Sequence, residues 1–282
     1  LQGRPSHNGT VVECPWCCHM FPPPKVHKDI HALDAAKRSL LRTNTGTGTA
    51  PEEPVEDRGR LAPVAANILM KILYGARGVR LDLLRIVGSL ACFFTRWTSE
   101  CDRRLHRLVC YINSSLALLQ VGWVGDRLED VQPHIFADAD FAGCVTTQRS
   151  TSGLFLAIRG PNTCFPIAGA SKRQGCVSHS TPEAEIVAAA FALRTCGLPC
   201  LNLWHSLLKH KPAIHVHEDN QAMIRVVQTG RNPTMRYIAR THRVSVAWLH
   251  EVFQGIEMTL VYEFSARMCA DIFTKAFLEL PK

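Results

Sequence analysis

The chain has 282 residues, 46% hydrophobic and 20% charged, which is enough apolar material for a packed core. It has no run of about 18 uninterrupted apolar residues and no basic-then-apolar export signal, so the expectation is an intracellular protein (cytoplasm or nucleus) without a membrane. The formal charge of +8 is shared by two mildly basic halves and permits an anionic partner without demanding one.

Residues 1–61 read as a low-complexity, disordered leader, with Pro22-Pro23-Pro24, a Gly-Thr repeat and an acidic Pro-Glu-Glu-Pro stretch. Such sequence buries too little apolar surface to offset chain entropy. Within it, Cys14 and Cys17 precede His27 and His31 at a spacing that resembles a zinc site, the alternative to an unstructured leader. Most of the twelve cysteines lie in apolar or helical patterns and read as reduced thiols, with a disulfide framework as the alternative.

Residues 62–130 read as a helical region. Ala65, Ile68, Leu69, Ile72 and Leu73 recur at helical spacing, then Leu83, Leu84, Ile86 and Val87. A third segment, 100–115, buries Leu105, Leu108, Val109 and Ile112 and carries Arg103, Arg104 and Arg107 on its outer face. That face is either solvated or in contact with a nucleic-acid backbone.

From 131 to 282 the predicted order is three strands (134–141, 153–158, 164–170), a helix from Pro182 to Cys196 capped by Thr181, and further helical packing over 201–208. A strand at 213–218 and a helix at 220–229 follow. A longer helix then runs from Asn232-Pro233 to Phe253, with a strand at 256–263 and a last helix at 268–278.

Four acids sit among apolar or small residues in this scheme: Asp138, Glu185, Asp219 and Asp271. Burying like charges together is costly unless cations compensate, and Mg²⁺ suits carboxylate oxygens. Two such ions can clamp the attacking and leaving oxygens of a phosphodiester. Each acid alone reads equally well as a turn, cap or helix-start residue.

The joint pattern resembles the ribonuclease H domain of copia-type retrotransposon polyproteins. The matching blocks are Asp138-Ala-Asp-Phe-Ala-Gly143, Arg149-Ser-Thr-Ser-Gly153, Ser171-Lys-Arg-Gln174, Ser180-Thr-Pro-Glu-Ala-Glu185, Asp219-Asn-Gln-Ala-Met-Ile224 and Ala270-Asp-Ile-Phe-Thr-Lys275. Residues 62–130 resemble the end of the reverse transcriptase that precedes this domain. The resemblance implies an α/β ribonuclease H-like fold, with three antiparallel strands, two further strands and flanking helices. It also implies hydrolysis of the RNA strand of RNA–DNA hybrids, with Asp138, Glu185, Asp219 and Asp271 holding two Mg²⁺ or Mn²⁺ ions. Asp140 is a weaker partner on the same strand face as Asp138.

The loop 264–269 lacks the His of cellular ribonucleases H, and Phe141 replaces a Trp. No Asp-Asp dyad occurs, so no polymerase site is expected in this chain; nor is an integrase or protease module. The start at Leu1 suits a piece of a longer polyprotein, whose remainder is an expected partner.

No acidic residue falls between Asp219 and Glu251, an interval that holds Arg225, Arg231, Arg236, Arg240 and Arg243. This stripe reads as a phosphate-contacting surface for the hybrid, the alternative being a solvated face. Trp248 falls on the apolar side. The competing reading of the whole chain is an inactive retroelement remnant that only binds nucleic acid.

Overall fold

The central strand explains the rest of the architecture. β1 (Gln132–Asp140) is largely buried on both faces, although only one parity of its sequence is apolar. Ile135, Ala137 and Ala139 point to one side; His134, Phe136 and Asp138 point to the other. The computed structural model describes residues 57–275, together with a two-residue antiparallel pairing of Val12–Glu13 with Met20–Phe21. The zinc-spaced Cys14, Cys17, His27 and His31 lie outside the described residues.

Among the described residues, three α-helices precede β1: α1 (Ala62–Val79), α2 (Leu84–Ala91) and α3 (Ser99–Ser114). Thr98 caps α3 by accepting from the Cys101 N–H. Arg103 and Arg107 are exposed, as read from the sequence. Arg104 differs: its guanidinium turns inward, donating to Ser89 Oγ at 2.8 Å and lying over the Phe93 ring.

β1 pairs antiparallel with β2 (Thr151–Gly160), which pairs antiparallel with β3 (Thr163–Arg173). On its other edge β1 pairs in parallel with β4 (Ile214–Glu218), and β4 in parallel with β5 (Met258–Tyr262). The mixed sheet therefore runs β3-β2-β1-β4-β5. This is the ribonuclease H-like fold.

α4 (Thr181–Ala192) lies on the Ile135 side. Its cap is Ser180, one residue before the predicted Thr181. Ala184 and Ala188 meet Ala139 in a small-residue contact that lets helix and strand approach closely. A π-type turn (Leu193–Gly197) and a short 3-10 turn join α4 to α5 (Leu201–Leu208). The stretch Thr181–Leu208 is long and apolar enough to cross a membrane by length and composition alone. Here its inner residues Ile186, Ala189 and Leu193 are buried in the core with Ile135, Leu154 and Val216.

After β4 comes α6 (Gln221–Thr229), capped by the Asn220 side chain and ended by Gly230 in the left-handed region. The single helix expected over 232–253 is broken. It consists of a 3-10 turn (Pro233–Met235), the one-turn α7 (Ile238–Thr241) and α8 (Val246–Gln254). The break has two causes. Arg243 adopts φ +57°, and Ser245 starts a new helix by accepting from the Trp248 N–H. The last described helix, α9 (Asp271–Thr274), lies on the Phe136 side.

Candidate metal centre

β1 and β4 are parallel neighbours, so their carboxyl ends lie together. Asp138 sits near the end of β1 and Asp219 just past the end of β4. The alanine contact of α4 with β1 brings Glu185 to the same end. One oxygen from each of Asp138, Glu185 and Asp219 lies within 4.8 Å of the others. Three of the four predicted acids thus converge.

Asp271 is not within that triad, but it opens α9 beside it. Thr274, fully buried on the same helix, donates from its hydroxyl to Asp138 Oδ2. α9 fits there because β2 and β3 present glycines. A Cβ on Gly153 would come within 2.6 Å of Thr274 Cγ2, and one on Gly169 within 2.6 Å of Phe273 Cζ. The Arg-Ser-Thr-Ser-Gly block therefore ends on a glycine that α9 rests against, directly opposite Asp138 in the β1–β2 register.

Asp140 is held by other groups. Its Oδ1 accepts from the Thr151 N–H, and Arg85 of α2 places Nη2 3.3 Å from its Oδ2. Arg85 Nε also donates to the Thr274 carbonyl at 2.7 Å. One guanidinium from the upstream helices thus ties β1 to α9.

Electrostatically the cluster is compensated only in part, by Lys275 beside Asp271. Burial pushes the Asp138 carboxyl up to about 6, against the Thr274 hydrogen bond and aided by the charge of Asp271. Burial, then the charges of Glu218 and Asp138, raises Glu185 well above the usual carboxylate range. Asp271 is raised chiefly by burial, opposed by its hydrogen bond from Lys275. Oε2 of Glu185 is buried without a hydrogen-bond partner. Carboxylate oxygens left buried and unpartnered around one point are the donor set a hard divalent cation takes.

Sequence reasoning missed four participants. Glu218, fully buried beside Asp219, has its Oε2 unpartnered and is itself raised well above the usual range by burial. Ser265 lies in the loop noted for lacking a His, and its hydroxyl donates to Asp219 Oδ2 at 2.6 Å. Thr274 and Lys275 were visible as motif letters without a role. Behind Asp138 on the same face, the rings of His215, His134, His217, Phe136, Phe155 and Phe273 stack in sequence, with successive centroids 4.2–6.3 Å apart. His134 Nδ1 and His217 Nε2 are 2.8 Å apart. Burial, then the neighbouring histidines and Arg159, lowers both to about 3.

The five predicted phosphate-contacting arginines, Arg225, Arg231, Arg236, Arg240 and Arg243, are all exposed. They sit on α6 and the broken segment after it, not on two regular helices. Trp248 is half-buried against the core, with the Arg194 guanidinium 4.9 Å from its ring centroid.

A retrovirus-related Pol polyprotein from a tobacco transposon (Nicotiana tabacum) is 25% identical over 231 residues. Over that stretch the chain is similar to this transposon polyprotein. The match takes in 78% of this chain and spans 16% of the length of that relative. No family model matches the chain. Among solved structures, a ribonuclease H isolated from compost, in complex with an RNA/DNA hybrid, superposes with a TM-score of 0.37 at 15% identity, covering 51% of this chain and 94% of that one. A ribonuclease H domain from Mycobacterium tuberculosis does so at 0.33 and 15%, covering 51% and 91%. A foamy viral protease-reverse transcriptase bound to double-stranded DNA gives 0.33 and 13%, covering 54% and 96%.

Proposed function

We propose that this retrotransposon Pol relative is a metal-dependent endonuclease acting on the RNA strand of RNA–DNA hybrids. The observation that carries the reading is the convergence of Asp138, Glu185 and Asp219 within 4.8 Å, from two parallel strand ends and one helix. Asp138, Glu185 and Asp219 would hold Mg²⁺ or Mn²⁺, with Asp271 completing the set from α9. Two such ions, when bound, lower the pKa of a water and stabilise charge on the leaving oxygen of a phosphodiester.

The chain's own residues do the positioning. Thr274 fixes one oxygen of Asp138, and Ser265 fixes one of Asp219. Lys275 pairs with Asp271; the hydrogen bond and the charges of Asp138 and Asp271 outweigh burial and keep its ammonium protonated. Arg225, Arg231, Arg236, Arg240 and Arg243 would take backbone phosphates in a salt-dependent way, without reading sequence. Residues 62–130 are assigned to the end of the preceding reverse transcriptase and 131–282 to the nuclease domain.

The test is incubation of the purified chain with a labelled hybrid and Mg²⁺. Internal cleavage of the RNA strand is expected, lost in chelator and in Asp219→Asn. Binding of the hybrid without cleavage, equal in wild type and Asp219→Asn, refutes the enzyme and supports a remnant that only binds nucleic acid.

A further inference from the structure

The end of β5 and the loop after it stand beside Asp219. Tyr262, the last residue of β5, pairs with Glu218, and the Glu263 N–H donates to the Glu218 carbonyl at 2.9 Å. Further along the loop, the Ser265 hydroxyl holds Asp219 Oδ2 at 2.6 Å. The residues on either side of Glu263 carry rings that stay in solvent: Tyr262 is 44% exposed and Phe264 63%. Their centroids are 5.6 Å apart and their planes are tilted by 66°, an edge-to-face pair.

The loop that presents Phe264 is braced at both ends. On one side β5 pairs with β4; on the other, Met268, Cys269 and Ala270 are buried. Between them a 3-10 turn (Ser265–Arg267) is closed by the Arg267 N–H, which donates to the Phe264 carbonyl at 2.7 Å. A ring on a fixed backbone loses only the torsions of its own short side chain on contact. Single exposed rings are ordinary on a protein surface. Two in contact, on a braced loop and next in sequence to a side chain that grips the metal cluster, make a preformed apolar shelf.

Its charge suits a polyanion. Glu263 is the sole acid between Met258 and Ala270, and it is folded away. Its side chain is 15% exposed, with Oε2 3.0 Å from His217 Nδ1, and its Oε1 accepts from the Phe264 N–H at 3.2 Å. Arg267 is exposed at the far end of the turn. In a paired hybrid the base faces are stacked on one another, and the sugars line a wide, shallow minor groove. The sugar is therefore the apolar face that a protein ring meets. Adjacent Cα atoms are about 3.8 Å apart, so a ring next to Ser265 reaches the nucleotide beside one held at the cluster.

We propose that Tyr262 and Phe264 form an aromatic shelf that packs against the sugar of the nucleotide beside the cleaved bond. The choice of a hybrid as occupant rests on the nuclease reading above; the exposed pair and its brace do not. The test uses the full chain in chelator, so that no cleavage occurs, with a fluorescent, fully paired RNA–DNA hybrid titrated over a range of salt. Phe264→Ala should weaken binding roughly tenfold at every salt concentration. The slope of log affinity against log salt should stay that of the wild type, because no charge is removed. Tyr262→Ala, which takes away the ring that props Phe264, should weaken binding roughly threefold. Phe264→Trp should bind within about twofold of the wild type. Phe165→Ala removes a ring of similar exposure (46%) from the opposite edge and opposite end of the sheet, and should change nothing. The rise in melting temperature on adding Mn²⁺ should be equal in Phe264→Ala and wild type, since the ring acts on the strand and not through Ser265.

Unchanged affinity in Phe264→Ala, an equal loss in Phe165→Ala, or a loss that comes with a flatter salt slope or a smaller Mn²⁺ response overturns the proposal. A loss seen with single-stranded RNA and absent with the paired hybrid overturns the sugar as the group contacted, an unpaired base taking its place. Cleavage in Mg²⁺, measured apart, decides the nuclease reading: its absence beside a tenfold loss of binding in Phe264→Ala sinks that reading and leaves the contact standing.

Discussion

Replacing Arg85 with Ala tests whether the upstream helices hold the metal centre together. The substitution removes a hydrogen bond to the Thr274 carbonyl and an ion pair with Asp140, whose side chains are 20% and 13% exposed for Arg85 and Asp140 respectively. Breaking a buried pair from one side costs about 3–5 kcal/mol, because the remaining charge is stranded. The residual exposure lowers that to roughly 2–3, and removal of the carbonyl bond adds about 1. Arg85→Ala should therefore destabilise the protein by about 3 kcal/mol in urea unfolding. Much of this should vanish in an Asp140→Asn background, giving a coupling energy of about 2 kcal/mol. Because Thr274 also bonds Asp138, the rise in melting temperature on adding Mn²⁺ should shrink in Arg85→Ala. Arg85→Lys should recover part of the stability, since a charge still faces Asp140. A coupling energy below about 0.5 kcal/mol, together with an unaltered response to Mn²⁺, would refute the reasoning.

The other outcomes follow from the same contacts. Gly153→Ala forces a methyl to within 2.6 Å of Thr274 Cγ2 and 2.9 Å of the Ala270 carbonyl, so α9 must lift. A loss of about 1–3 kcal/mol and weaker Mn²⁺ binding by calorimetry are expected; an unchanged melting temperature would show that α9 yields freely. Asp138 has a folded pKa raised from 3.8 to about 6, so the stability it contributes is present below about pH 4 and lost as pH rises through 6. In chelator, Asp138→Asn should therefore gain on the wild type by about 3 kcal/mol between pH 4 and pH 7, and lose metal binding outright. A difference in stability between the two proteins that does not change with pH contradicts this assignment.

The parts of the fold that showed in the sequence were those where one residue type served one purpose. Asp138, Glu185 and Asp219 each sit near the end of a predicted strand or helix, and the structure brings them together. The order of strands and helices from 131 was legible for the same reason. What was hidden depended on tertiary partners. His134, His215 and His217 alternate with Ile135, Ile214 and Val216, so β1 and β4 look half-polar; His217 is nevertheless buried and His134 and His215 half-buried, with the three rings stacked on one another and His217 on Phe136. Glu218, the last residue of the strand expected over 213–218, drew no role from the sequence and is fully buried. The helix expected over 232–253 has the right residues for one. Its break comes with Arg243 in the left-handed region and the new start at Ser245, beside His242, which faces Glu183 of α4, a tertiary contact that no local pattern encodes.

The bonds that Thr274 makes span 136 residues to Asp138 and 189 to Arg85. During synthesis the glycine trough on β2 and β3 is complete long before the segment that fills it emerges from the ribosome. A nascent chain can thus assemble the sheet and its preceding helices yet lack the wedge that steadies Asp138. The order of translation itself keeps the cluster unfinished until the newest residues arrive.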